Sequence, residues 1–329
     1  LTVLIRHMKD DYGMRVTTSK VMRQVQSAVH DALDLLDNAA LDGTQGRDRI
    51  EPDPLPSLLE QCGHLAETDK TSDVEPIRTI HHFACTGGTL ITKCLACSPN
   101  VHALSEVDPL STVPATVGKF APSDLIQLTG FSNRASTMEE KLDLFLGSLK
   151  VLHQSNQKKG LRVLVRDHAH GHFCIGSAIP ERLTVREILH RTFPVLSIVT
   201  VRHPIDSWLA LKVNHWHQFN PATADEYARR YEVFLDKYQD VMMFRYEDFL
   251  EDPAEELASM CRALNLAYPE DFQELFSVHS FSGDSGRSGG KIEPRVRRSI
   301  PGHVHQELRQ SRALCHLCER LGYEWNLDH

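Results

Sequence analysis

Long apolar runs, a cysteine framework and an excess of positive charge are all missing from this sequence. No stretch approaches the roughly 18 to 20 consecutive apolar residues of a spanning helix, and the opening LTVLIRHMKDDYG has no signal-peptide core. No transmembrane segment is expected, and an anchor or signal upstream of Leu1 is left open. Eight cysteines in 329 residues are too dispersed to staple a small secreted domain, which favours reduced thiols and a cytoplasmic setting. The pairs Cys94/Cys97 and Cys315/Cys318 have the spacing of zinc half-sites, but they read more simply as small buried residues one helical turn apart, and no metal is expected. A formal net charge of −8 argues against a nucleic-acid coat, although a local basic pocket can still hold a polyanionic nucleotide. Internal repeats and low-complexity tracts are absent too.

What is present is enough apolar residue, 41% of the chain, for one large α/β core with a small helical appendage. From Ser19 to about Ala40, Val21, Val25, Ala28, Val29, Ala32, Leu33 and Leu36 recur at helical spacing, and Gly43 ends the run. Residues 1–76 are therefore expected to form a helical extension. From Ile77 the pattern changes to short β-rich runs, IRTIHHF (77–83), VHAL (101–104), LRVLVR (161–166), VLSIVTVR (195–202) and VMMFRY (241–246), alternating with helices. Capping boxes at Thr137/Glu140, Thr184/Glu187 and Thr223/Glu226, and Asp252-Pro253, mark helix starts between them. That alternation predicts an α/β fold over 77–329: a three-layer, P-loop-NTPase-like parallel sheet with helices on both faces.

The first strand runs into Cys85-Thr86-Gly87-Gly88-Thr89-Leu90 and then a helix. Glycines let backbone fold around phosphate oxygens, the helix N-terminus aims free N–H groups at them, and threonine hydroxyls add donors. An ordinary strand-to-helix connection has the same look. The magnesium-dependent nucleotide hydrolase motif GxxxxGK[ST] is not here, and VLSIVTVR does not end in a metal-holding acid. Downstream, the second strand ends in Ser105-Glu106, and the third in Arg166-Asp167-His168-Ala169-His170-Gly171-His172. The three alternating histidines lack a second ligand cluster that would make a metal site, and His170 and His172 are better read as polar surface groups than as catalytic ones. Arg202-His203-Pro204-Ile205-Asp206-Ser207 opens a helix after a buried strand, Tyr246-Glu247-Asp248 follows another strand, and a Gly-rich cationic loop spans Ser285 to Arg298.

In that order, over residues 77–300, these segments resemble the PAPS-dependent sulfotransferase family, whose donor is 3′-phosphoadenosine 5′-phosphosulfate; bacterial carbohydrate and tyrosylprotein sulfotransferases are the nearest in character. The resemblance implies that Cys85, Thr86, Gly87, Gly88, Thr89 and Leu90 form the 5′-phosphosulfate loop. The family's usual Lys or Arg is Cys85 here, with Lys93 or Arg166 as replacement cations. Glu106 takes the place of a glutamate that deprotonates the acceptor, and Arg166-Asp167-His168 looks like a Lys-x-His motif whose histidine does the same job, so the two compete. Arg202 is implied to bind the 3′-phosphate, helped by Ser207 where the family's serine position holds Ala210. Tyr246 would lie against adenine, Glu247 and Asp248 would be structural, and Arg287, Ser288 and Gly289 would close over the 3′-phosphate.

The resemblance thus implies sulfuryl transfer from PAPS, leaving adenosine 3′,5′-bisphosphate (PAP), to a hydroxyl or amine of a small molecule or glycan, with a carbohydrate or glycolipid foremost and peptide tyrosine next. Trp208, His215, Trp216, His217 and Phe219 are either aromatic stacking groups for that acceptor or core. A P-loop small-molecule kinase using ATP and magnesium, and a catalytically silent nucleotide-binding module, are the alternatives. No nucleic-acid partner is expected, and an oligomer is left open.

Overall fold

The computed structural model describes residues 74–111, 124–130, 132–134, 136–281, 291–294 and 297–327. The helical extension expected over 1–76, apart from residues 74–76, lies outside the described residues, as do Arg287, Ser288 and Gly289. All described residues belong to one compact unit, Asp73–His329.

Among the described residues the main sheet has five strands, all pairing in parallel. They are β1 (Ile77–His82), β2 (Val101–Val107), β3 (Arg162–Asp167), β5 (Val195–Val201) and β7 (Met242–Arg245), in the spatial order β2-β3-β1-β5-β7. Two short strands, β4 (Ile175–Gly176) and β6 (Gln218–Phe219), pair separately. The chain lays β2 and β3 on one side of β1 and β5 and β7 on the other. The loop after β1 therefore opens at a switch point, where ligands of open α/β sheets bind beyond the carboxyl ends of the strands.

Helices cover both faces. In chain order they are α1 (Gly88–Leu95), α2 (Leu125–Gly130), α3 (Met138–Gln157), α4 (Ala169–Phe173), α5 (Val185–His190), α6 (Pro204–Val213), α7 (Ala224–Lys237), α8 (Tyr246–Glu251), α9 (Pro253–Ala263), α10 (Phe272–Leu275), α11 (Gly302–Gln310) and α12 (Arg312–Arg320). The caps read from sequence do their work. Thr137 and Thr184 each accept from the backbone of a glutamate whose carboxylate bonds back, Thr223 accepts from Glu226 N–H, and Asp252 caps α9 with Pro253 at its first position. Cys94 and Cys318 are fully buried in the cores as expected, whereas their pair mates Cys97 and Cys315 are only half-buried.

Side-chain alternation along the strands decides what meets what. Ile80, Leu164, Ile198 and Phe244 pack with α1 and α9 in one core, while Ile77, Val163 and Val165 pack with α3 and α5 in another. His82, Arg166, Thr200 and Arg202 are in phase with the first set, so the strand ends deliver them to the face that carries α1. His81 and Asp167 are in the opposite phase, and there they form a buried polar network. His81 Nδ1 donates to Asp167 Oδ2 at 2.9 Å, and the Tyr238 hydroxyl donates to the same oxygen at 3.0 Å. Burial alone would raise the Asp167 pKa, but those bonds and the His81 charge hold it below the usual carboxylate range.

Candidate active site

The loop between β1 and α1 folds tightly. Cys85 (φ 64°) and Gly87 (φ 86°) both take left-handed backbone, and the Thr86 hydroxyl, fully buried, donates to the Phe83 carbonyl at 2.8 Å. The glycines are required by what lies against them. A Cβ on Gly87 would stand 2.2 Å from the Tyr246 ring, and one on Gly88 would stand 2.3 Å from the His82 ring. The amide end of α1 is thereby left lined by backbone, with Thr89 and Leu90 in its first turn.

Two arginines grip this loop, one near each end. Arg202 donates from Nη1 to the Cys85 carbonyl at 3.3 Å and lies over the Tyr246 ring at 5.2 Å. Arg166, 1% exposed, donates from Nη1 to Thr89 Oγ1 at 3.0 Å. Its Nε and Nη2 reach Ser105 Oγ at 3.0 and 2.7 Å, and Nη2 is ion-paired with Glu106. Lys93 sits in the last turn of α1, away from the helix's amide end. Cys85 supplies no charge: burial pushes its thiol up to about 11, and Asn214 lies 3.9 Å from the sulfur. Of the two replacement cations expected from sequence, Arg166 is thus the one at the loop.

Glu106 reaches that arginine through an irregular strand. The β2–β3 register shifts between Leu104 and Val107, and Glu106 takes φ 59°. A non-glycine residue held in left-handed backbone at a bulge re-aims its side chain, at a strain of about 1–3 kcal/mol. The carboxylate is thereby set between Arg166 and His168, whose Nε2 lies 3.1 Å from Oε2. The two candidate bases lie side by side rather than in separate places. Beyond them, the His168 and His170 rings are 5.9 Å apart, and His170 lies 6.3 Å from Trp216. His170 Nε2 is bonded to the Trp216 carbonyl at 2.8 Å, and His172 Nε2 to that of Pro180 at 3.2 Å. Burial lowers the pKa of both rings.

Two of the expected contact residues lie deep in the fold. Ser207 is fully buried and its hydroxyl donates to the His203 carbonyl one turn back at 3.2 Å, so it serves the helix and faces the core. Tyr246 is wedged between Gly87 and Arg202, with little of its ring exposed. Trp208 and Phe219 are likewise core residues. Glu247 has the structural place expected of it: one oxygen accepts from His203 N–H at 3.1 Å and the other from the Tyr323 hydroxyl at 2.6 Å. Sequence reading missed His82, which lies beneath Gly88 and 3.3 Å from Arg166. The cue available was its phase with Arg166 on adjoining strands.

Residues 83–270 match the model of the sulfotransferase family, a span that contains the loop, both arginines and the Glu106–His168 pair. The chain belongs to that family. Solved structures with similar coordinates include the sulfotransferase domain of the Synechococcus PCC 7002 olefin synthase, 18% identical, covering 78% of this chain and 98% of that one at a TM-score of 0.48. A sulfotransferase from Alicyclobacillus acidocaldarius is 13% identical, covering 77% of this chain and 98% of that one at a TM-score of 0.40. Mouse sulfotransferase SULT7A1, complexed with PAP, is 12% identical, covering 78% and 92% at a TM-score of 0.34. No curated protein matches the sequence. Among the described residues no helix is long and apolar enough to cross a membrane, and no cluster of His, Cys, Asp and Glu has the geometry to hold a metal ion.

Proposed function

We propose that this sulfotransferase takes its sulfuryl group from PAPS and passes it to a hydroxyl, with a sugar ring as the favoured acceptor. The observation that carries the donor is the double grip on one loop, Arg202 at Cys85 and Arg166 at Thr89. Two guanidinium groups flanking a single amide-lined turn suit a nucleotide with phosphate at both its 3′ and 5′ carbons. Arg202 takes the 3′-phosphate, Thr86–Thr89 cradle the 5′-phosphosulfate, and Arg166 faces the sulfuryl group. Arg287, Ser288 and Gly289 retain the closing role that the family resemblance implies.

Glu106 is the base. Its strained backbone holds the carboxylate beside Arg166, with His168 against its other oxygen. As the acceptor oxygen bonds to sulfur, its proton passes to Glu106. The bond from sulfur to the bridging oxygen of the phosphosulfate breaks, and the electron pair leaves on PAP, where Arg166 and the loop amides offset the developing charge. The sugar preference is supported by the line of rings from His168 through His170 to Trp216, since half-buried aromatic rings present an apolar face with a polar edge.

Calorimetry with PAP tests the donor assignment. Wild-type protein binds PAP without magnesium, and Arg202→Ala weakens it by roughly 10- to 100-fold, the worth of one or two charge-assisted bonds. Equal binding by the variant removes Arg202 from the site. Transfer of labelled sulfate from PAPS to a panel of glycans, phenols and amines then ranks the acceptors.

A further inference from the structure

Arg166 is held from more than one side, and two of its partners, Ser105 and His82, have no part in the chemistry above. A guanidinium has five N–H donors in a rigid planar fork. Those of Arg166 are directed at Thr89, Ser105, Glu106 and His82. When the donor arrives, Thr89 turns to phosphate oxygens and Glu106 to the acceptor proton. Ser105 then still holds the Nε and Nη2 side of the fork, and the Nη1 side is left to His82.

His82 has the geometry for that task. Its Nδ1 lies 3.1 Å from the Phe83 carbonyl oxygen, which can only accept, so Nδ1 carries the ring proton and Nε2 presents a lone pair. Arg166 Nη1 donates to that lone pair at 3.3 Å. The ring is also packed against the loop, filling the space where a Cβ on Gly88 would stand 2.3 Å away. The ring is thus packed directly against the backbone of the loop. Burial, with the neighbouring Arg166 charge, holds its pKa down to about 3, so the ring stays neutral and able to accept.

We infer that His82 is a positioning residue which orients the Arg166 guanidinium toward the transferring sulfuryl group, fixing to the loop a cation that arrives from a different strand. The inference rests on the sulfuryl-transfer reading.

The test compares His82→Leu, His82→Gln and His82→Asn by PAPS kinetics and by PAP calorimetry. Gln reaches Arg166 with a carbonyl oxygen in the place of Nε2; Asn is too short, and Leu has no acceptor. In the expected result, kcat falls about 10- to 100-fold in the Leu and Asn variants and recovers to within about fivefold of wild type in the Gln variant. PAP, which lacks the sulfuryl group, binds all three within about threefold of wild type. Combined with Arg166→Ala, His82→Leu adds no further loss, because its effect passes through that arginine. Full kcat in both the Leu and Asn variants, equal losses in Gln and Asn, or additive losses with Arg166→Ala would each overturn the inference. Should the Leu variant not fold, the order of Gln and Asn decides. Wild-type protein that neither binds PAP nor transfers sulfate overturns the donor reading, and this inference with it.

Discussion

Arg166 combines a charge with a shape, and the two can be separated by substitution. Arg166→Lys keeps the charge but loses the fork that reaches Thr89, Ser105 and Glu106 together. We predict that kcat falls by roughly 10- to 1000-fold, the range for a displaced charge-stabilising donor, with PAP affinity little changed. A variant of full activity would show that a point charge suffices. Gly88 sets a different limit. Gly88→Ala places a methyl 2.3 Å from the His82 ring, and the required shift in the loop should lower stability by about 1–3 kcal/mol and weaken PAP binding. Thermal unfolding and calorimetry on the same sample check both. Glu106→Gln keeps the shape and removes the base, so kcat should drop by about 10²–10⁴-fold in pre-steady-state transfer assays. His168→Ala, which loses only the partner of that carboxylate, should cost less.

Elements report on a different property, the cost of starting and ending in the right place. Thr184→Ala removes one half of the capping box of α5, remote in sequence from the loop, and should destabilise by about 1 kcal/mol in urea unfolding while kcat stays at the wild-type value. Such starts were plainly legible. Each of the five runs read as strands overlaps an observed strand of the main sheet, and the Thr137, Thr184, Thr223 and Asp252 caps sit where their side chains predict. The bulge in β2 was not legible, because nothing local in Leu-Ser-Glu-Val marks a register shift that only pairing with β3 creates. The burial of Ser207 and Tyr246 was not legible for a related reason. A helix face or strand end has no inside until its neighbours are packed, and here the Tyr246 ring is claimed by Gly87 and Arg202. Arg166 was identified as a candidate by order along the chain; its superiority over Lys93 emerged only from the sheet order, which brings β3 beside β1.

The whole molecule should respond to acid through groups that lie close to the site. His82 is held to about 3 and His203 to about 4, both chiefly by burial, with Arg166 and Arg297 respectively adding to the effect. Both folded values lie below that of an unfolded histidine, near 6.5, so the unfolded chain binds more protons in between. Stability therefore rises with pH across that window and falls as pH drops from about 6.5 toward 4, by up to about 1.4 kcal/mol per pH unit for each group. Asp167 adds to this at lower pH: its depressed value means stability present above the ordinary aspartate range and lost as pH falls through the folded pKa. Urea unfolding between pH 4 and 7 should show a shallower slope for His203→Gln than for wild type, and parallel curves would remove His203 from this account.

The ion pair between Arg166 and Glu106 also shapes how the donor is taken up. In the free protein an internal carboxylate already balances the guanidinium, so loading trades one negative partner for another instead of filling an unmet positive charge. The affinity earned at that end is a difference between two attractions and should depend less on ionic strength than the Arg202 end does. With Glu106 as the proposed base, the same trade would free it only after the nucleotide has docked, and we predict an ordered reaction, donor first and acceptor second.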